Sequence, residues 1–177
     1  MSTYRRHRVP GGSYFFTVNL CDRNSRLLVT EIDKLRHAVS TAREQHPFHI
    51  DAWVVLPNHL HCLWTLPPDD TQFPIRWQTI KATFSRSVRP PEERRPSLIR
   101  KREAGIWQRR YWEHTIRDDR DYAAHMDYIH FNPVKHGLTT HPADWPFSTF
   151  RRCAALGLYP ATWAPPDCDL PDTGERP

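Results

Sequence analysis

Val55-Leu56-Pro57-Asn58-His59-Leu60-His61-Cys62-Leu63-Trp64 is the stretch around which the chain is organised. Side chains two apart on an extended strand point to one face, so His59 and His61 project together. Leu60, Cys62, Trp64 and Leu66 fall on the other face, an apolar row suited to packing on helices. The strand therefore has a core side and a chemical side. Neutral imidazole ligates divalent metals, and a same-face pair is half of such a site. Two surface histidines on a half-buried strand would show the same spacing, so a partner has to come from elsewhere in the chain.

Outward from this strand, the Pro57-Asn58 break separates it from an upstream strand at Phe48–Leu56, and so short a break predicts an antiparallel hairpin. Tyr14–Leu20 alternates in the manner of a first strand. Glu31–Gln45 has helical spacing, with Ile32, Leu35, Ala38, Val39 and Ala42 on one side, and Pro47 stops it. Pro67–Asp70 is a turn, and Phe73–Val88 a second helix with Ile80, Phe84 and Val88 inward. The second half of Gly105–Ile116 reads as a fourth strand. Arg117–Phe131 reads as a third helix, with Asp118, Asp119 and Asp121 at its start and Pro133 ending it near Asn132. The order predicts an α+β, ferredoxin-like βαββαβ fold. Its antiparallel sheet carries helices on one face, an additional C-terminal helix follows, and the histidine face is left uncovered. Leu138–Arg152 packs back on the domain. Residues 1–159 form one domain, and 160–177, rich in proline and acids, an irregular tail.

The composition bounds the function. A chain of 177 residues with 38% hydrophobic residues can bury one real core. No apolar run approaches the roughly 18–20 residues that span a bilayer, and no signal peptide is evident, so a cytoplasmic protein without membrane contact is expected. Cys21, Cys62, Cys153 and Cys168 are scattered without a Cys-x-x-Cys pair, which argues against a structural zinc site or a disulfide framework. The net charge of +5 is local: Ser85–Arg110 holds nine basic residues against three acidic ones, and the remainder is slightly acidic. A basic patch beside aromatics suggests a polyanion partner.

The third helix offers the histidines a partner. At about 100° per residue, Tyr122, Met126 and Ile129 make a packing stripe, while Asp121, His125, Tyr128 and Asn132 share the neighbouring side. Tyr128 and Asn132 are one turn apart and can act at one site. A phenol beside a metal-bound phosphate is a plausible nucleophile, and Asn132 offers a neutral oxygen to a hard ion. An ordinary surface tyrosine and a helix cap fit the same spacing.

Four segments carry a resemblance: Tyr14–Leu20, Ala52–Cys62, Trp107–His114 and Met126–Gly137. In this order they closely resemble those of the REP-associated tyrosine transposases, bacterial single-tyrosine members of the HUH nuclease group. The resemblance implies that His59 and His61 are the paired metal-binding histidines, Tyr128 the nucleophile, and Asn132 the polar ligand one turn later, where the wider group often has glutamine. It further implies magnesium or manganese, and single-stranded or hairpin DNA from repetitive extragenic palindromes, cleaved and rejoined through a 5′-phosphotyrosine. A monomer or a homodimer is expected. Phosphate contacts are expected from Arg5, Arg6, Arg109, Arg110 and Lys135, and the chain has no ATP-type phosphate loop. Two other readings compete: a non-catalytic nucleic-acid-binding protein whose histidines only touch phosphates, and a metal-dependent hydrolase with water as nucleophile. Neither needs Tyr128.

Overall fold

Four strands form one antiparallel sheet in the order β2-β3-β1-β4. They are β1 (Ser13–Asn19), β2 (His49–Val55), β3 (His59–Thr65) and β4 (Trp112–Thr115). The computed structural model describes residues 8–91, 100, 104–160, 162, 163 and 173. Its helices are α1 (Leu27–Thr30), α2 (Ile32–Gln45), α3 (Phe73–Ser87), α4 (Asp119–Lys135) and α5 (Phe150–Ala155), with a 3-10 turn at Pro142–Asp144. Both β1 and β2 flank β3, the register setting Thr17 opposite His61 and Asn19 opposite His59. This is the expected ferredoxin-like arrangement. The short α1 leads directly into α2.

Alternation along the strands divides the core in two. Tyr14, Phe16, Val18, Leu60, Cys62 and Trp64 face α2 and α3 and pack on Leu35, Ala38, Trp77, Ile80 and Phe84. Trp64 stacks on Trp77 with ring centroids 4.4 Å apart. Burying each such ring stabilises by about 1.5–3 kcal/mol. On the opposite face Phe15, Ala52, Val54 and Leu63 pack against Met126, Tyr128 and Ile129 of α4 and Phe150 and Cys153 of α5. The histidine face is therefore not uncovered, as the strand pattern alone suggested. The tyrosine helix lies across it, because Phe15 of β1, Ala52 and Val54 of β2 and Leu63 of β3 present a second apolar surface that must also be buried.

Helix α4 also departs from expectation at its end. Asp118 caps its start, its carboxylate accepting from the Asp121 N–H at 2.8 Å. Pro133 does not stop it. Proline costs the helix only its own bond to the Ile129 carbonyl, and the helix continues to Lys135. Termination comes at Gly137, whose φ of +64° favours glycine. There the Gly137 N–H donates to the Val134 carbonyl and the Leu138 N–H to the Pro133 carbonyl, each at 2.9 Å.

Segments flanking the sheet complete it. The Val55 N–H donates to the Phe147 carbonyl and the Thr149 N–H to the Trp53 carbonyl, covering the β2 edge. At the other side the Gln108 N–H donates to the Asn19 carbonyl, beside the histidine end of β3. Among the described residues, no helix is long and apolar enough to cross a membrane.

Candidate active site

Strand β3 and helix α4 bring the four chemically singled-out residues together, all of them buried. His59 and His61 lie with ring centroids 5.1 Å apart, nearly perpendicular at 83°. The Tyr128 ring meets that of His61 at 5.2 Å and 78°. Asn132, one turn on, is fully buried, and neither its amide oxygen nor its nitrogen finds a hydrogen-bond partner among the described residues. A buried amide left unmade costs about 1–3 kcal/mol, which is the mark of a group waiting for a ligand.

Hydrogen-bond partners assign the histidine tautomers. The Thr17 hydroxyl donates its single proton to the Thr173 carbonyl at 2.7 Å. At 2.9 Å from His61 Nδ1 it must therefore accept, so neutral His61 carries its proton on Nδ1. His59 Nδ1 faces the Asn58 amide oxygen at 2.6 Å, which only accepts. The Asn58 amide nitrogen donates to the Arg23 carbonyl, which fixes that orientation. Both rings thus keep their protons on Nδ1 and present a lone pair at Nε2, the form in which histidine ligates a cation. Two Nε2 lone pairs and an unpartnered amide oxygen fit a divalent ion.

The Tyr128 hydroxyl accepts from Lys135 Nζ at 3.1 Å and from the Thr173 hydroxyl at 2.9 Å. The Lys135 ammonium also lies 4.8 Å from the Tyr128 ring centroid. Lys135, expected to hold a DNA phosphate, is turned toward the phenol in this structure.

Residues 12–132 match the family of IS200-like transposases. The chain belongs to that family. A REP-associated tyrosine transposase of Escherichia coli strain K12 is 48% identical to it over 99% of this chain and 98% of the relative. A solved structure of a REP-associated tyrosine transposase bound to a REP hairpin superposes with a TM-score of 0.86 at 48% identity, covering 99% of this chain and 98% of that one.

In this transposase several residues at the site carry no sequence signal. Thr17 holds the His61 tautomer from the neighbouring strand, and Thr173 comes from the tail expected to be irregular. His136, one turn beyond Asn132, brings its ring to 5.1 Å from that of His59. Its place in the row Tyr128, Asn132, His136 was legible only to a reader who carried the helix past Pro133.

The expected DNA contacts are spread more widely. Arg5 and Arg6 lie outside the described residues, as does much of the arginine-rich loop. Arg110 is exposed. Arg109 lines a cleft of about 640 Å³ between α3 and residues 104–111, with Lys81, Arg86, Trp107 and Tyr111. Lys81 Nζ donates to the Gln108 carbonyl at 2.8 Å and lies 5.3 Å from the Tyr111 ring centroid. Because Gln108 bonds to Asn19, opposite His59, this basic and aromatic cleft adjoins the histidine end of the sheet.

A second group of possible ligands, His114, Asp121 and His125, brings three donor atoms within 4.8 Å of one another. Its geometry does not suit a metal. The two imidazoles are stacked at 4.7 Å and 17°, so their in-plane lone pairs run side by side instead of converging. The Asp121 carboxylate already accepts from His114 at 2.8 Å and from the backbone and side chain of Arg117 at 3.0 and 3.2 Å. Burial alone would raise the Asp121 carboxyl, but those hydrogen bonds override it and hold its pKa at about 2. The trio ties the first turn of α4 to β4 and so sets where Tyr128 falls.

Proposed function

We propose that this transposase cleaves and rejoins single-stranded or hairpin DNA of the REP type, with Tyr128 as nucleophile. The reading rests on one observation: the Tyr128 phenol packs 5.2 Å from His61 while its oxygen is held by Lys135. The Tyr128 oxygen attacks the scissile phosphorus as the bond from phosphorus to the 3′-oxygen breaks. A 5′-phosphotyrosine and a free 3′-hydroxyl result, the phenolic proton passing in net terms to the departing 3′-oxygen. A second 3′-hydroxyl reverses the step and releases Tyr128, so the phosphodiester bond is conserved and no ATP is consumed.

Magnesium or manganese, held by Nε2 of His59 and His61 and the Asn132 amide oxygen, supplies Lewis-acid withdrawal of charge from the phosphoryl oxygens. Thr17 and Asn58 keep both imidazoles in the ligating tautomer. Lys135 stabilises negative charge on the Tyr128 oxygen as the phenol gives up its proton. Arg109, Lys81 and Arg86 in the adjoining cleft neutralise backbone phosphates, and Trp107 and Tyr111 offer stacking faces to unpaired bases. The substrate class follows the relative of 48% identity that is bound to a REP hairpin.

The test is incubation with end-labelled hairpin oligonucleotides, with divalent cation or with EDTA, resolved under denaturing conditions. A cation-dependent protein–DNA adduct that Tyr128→Phe abolishes is expected. Cleavage without an adduct would assign the chemistry to water, and tight binding without cleavage would leave a non-catalytic DNA-binding protein.

A further inference from the structure

We infer that Phe15 is a positioning residue for strand transfer, setting the angle at which the Tyr128 phenol meets His61; the inference rests on Tyr128 being the nucleophile. The ring contacts carry it. Phe15 lies nearly parallel to His61, with centroids 5.6 Å apart at 18°, and edge-on to Tyr128, at 6.0 Å and 73°. Tyr128 in turn meets His61 at 5.2 Å and 78°. The rings come from β1, β3 and α4, and every pair of them is in contact, so they close a triangle. Offset stacking and edge-to-face contact at about 4.5–7 Å are the two arrangements that aromatic rings prefer. Phe15 makes one of each.

His61 needs this second restraint. The last torsion of a histidine side chain is broad, and the Thr17 bond at Nδ1 restrains the ring only within a hydrogen bond's own angular tolerance. A flat face laid along the imidazole narrows the remaining tilt. Strand β1 supplies both restraints, because Thr17 and Phe15 are two apart and share a face. The hydroxyl holds the edge of the imidazole and the phenyl ring holds its plane. The same phenyl ring fills the space beside Tyr128, so the phenol and the imidazole are fixed against one body.

Phe15 is itself unable to retreat. It is fully buried on an inner strand, opposite Leu63 of β3 and His114 of β4. Its ring also touches His125 at 4.7 Å and Trp112 at 5.9 Å. His114 and His125 both bond to Asp121, so the knot at the start of α4 reaches the site through this ring. A leucine at position 15 would suit the same apolar layer but has no flat face to lay on an imidazole.

The test compares Phe15→Leu with Phe150→Leu. Phe150 is equally buried in the same layer, but its ring partners are His130, His141, Tyr159 and Trp163. Single-turnover adduct formation is followed over a range of hairpin concentrations with manganese, at a temperature where thermal melts show each protein folded. In Phe15→Leu the rate at saturating hairpin is expected to fall by at least about 10-fold, since a misplacement of roughly 1 Å can cost about 100-fold. The half-saturating concentration is expected to stay within a few-fold of wild type, and Phe150→Leu to keep both. Pulsed electron paramagnetic resonance of bound manganese, without DNA, reads the site apart from activity. Nitrogen couplings are expected to broaden in Phe15→Leu alone, as His61 takes a wider range of tilts. Phe15→Met, which keeps most of the volume without a flat ring, gives the same losses should the leucine variant fold poorly. Wild-type rate and couplings in Phe15→Leu, or losses matched by Phe150→Leu, overturn the inference and leave Tyr128 as the nucleophile. A wild type that forms no adduct overturns the reading of Tyr128 and the inference together.

Discussion

Thr17→Val removes one hydroxyl from the interior of the sheet and disturbs two buried partners at once. The hydroxyl donates to the Thr173 carbonyl at 2.7 Å and accepts from His61 Nδ1 at 2.9 Å, and Thr17 is fully buried. Valine keeps the shape but satisfies neither partner. Leaving a buried polar group unmade costs about 1–3 kcal/mol, so an unrelaxed structure loses about 2–6 kcal/mol. Moving the His61 proton from Nδ1 to Nε2 gives no relief, because it trades one unmade N–H for another on a fully buried ring; the expected fall in Tm is about 4–24 °C for a chain of this size. The valine also removes the group that held the proton on Nδ1 and the lone pair on the nitrogen assigned to the ion. Losing such an outer-shell partner of a ligating histidine lowers metal affinity by roughly 10- to 100-fold. Thermal melts and calorimetric manganese titrations of the wild type, Thr17→Val and Thr17→Ser measure both effects, and serine, which keeps the hydroxyl, should bind as the wild type does. A valine variant that melts lower but binds manganese with wild-type affinity would refute the tautomer argument and reduce Thr17 to a structural residue.

Other outcomes follow from the same geometry. Tyr128→Phe loses the covalent adduct while hairpin affinity, measured by fluorescence anisotropy, stays within a few-fold of wild type. Lys135→Met slows adduct formation in single-turnover assays by roughly 10- to 100-fold, the worth of one charge-assisted hydrogen bond; an unchanged rate would show that the lysine merely packs. Asp121, held at about 2 in the fold against an ordinary 3.8, is depressed by folding. It therefore contributes stability above about pH 4 that is lost as pH falls toward 2, about 2 kcal/mol in all. Asp121→Asn should flatten that acid limb in denaturation measured from pH 5 to 2. Hairpin affinity should fall steeply with added salt, because basic side chains release counterions on binding phosphate; a flat salt profile would exclude the basic cleft as the grip.

Much of the site was visible in the residues. The alternation of His59-Leu60-His61-Cys62 correctly put the imidazoles on one face and the thiol in the core, because a strand side chain has only two directions to choose from. The acidic start of the third helix and the two amphipathic helices before it were equally local. Proline at 133 misled, since its bias against a preceding helical residue costs little enough for packing of α4 on the sheet to override it. The second apolar face was written in Phe15, Ala52, Val54 and Leu63, but alternation with polar neighbours hid it until the strands were assembled side by side.

The sequence by itself determined which groups are present and how each is spaced along its own element: paired imidazoles two apart, a phenol and an amide one turn apart, a helix start fixed by an aspartate. Those are short-range matters of strand and helix period. Only the tertiary structure decided that the phenol reaches His61, that threonines from β1 and from residue 173 settle protons and lone pairs, and that His136 stands beside His59. Such contacts join positions from 44 to 156 residues apart. They arise from burying both faces of one sheet, an energy that belongs to the whole chain and leaves no trace in any local stretch of it.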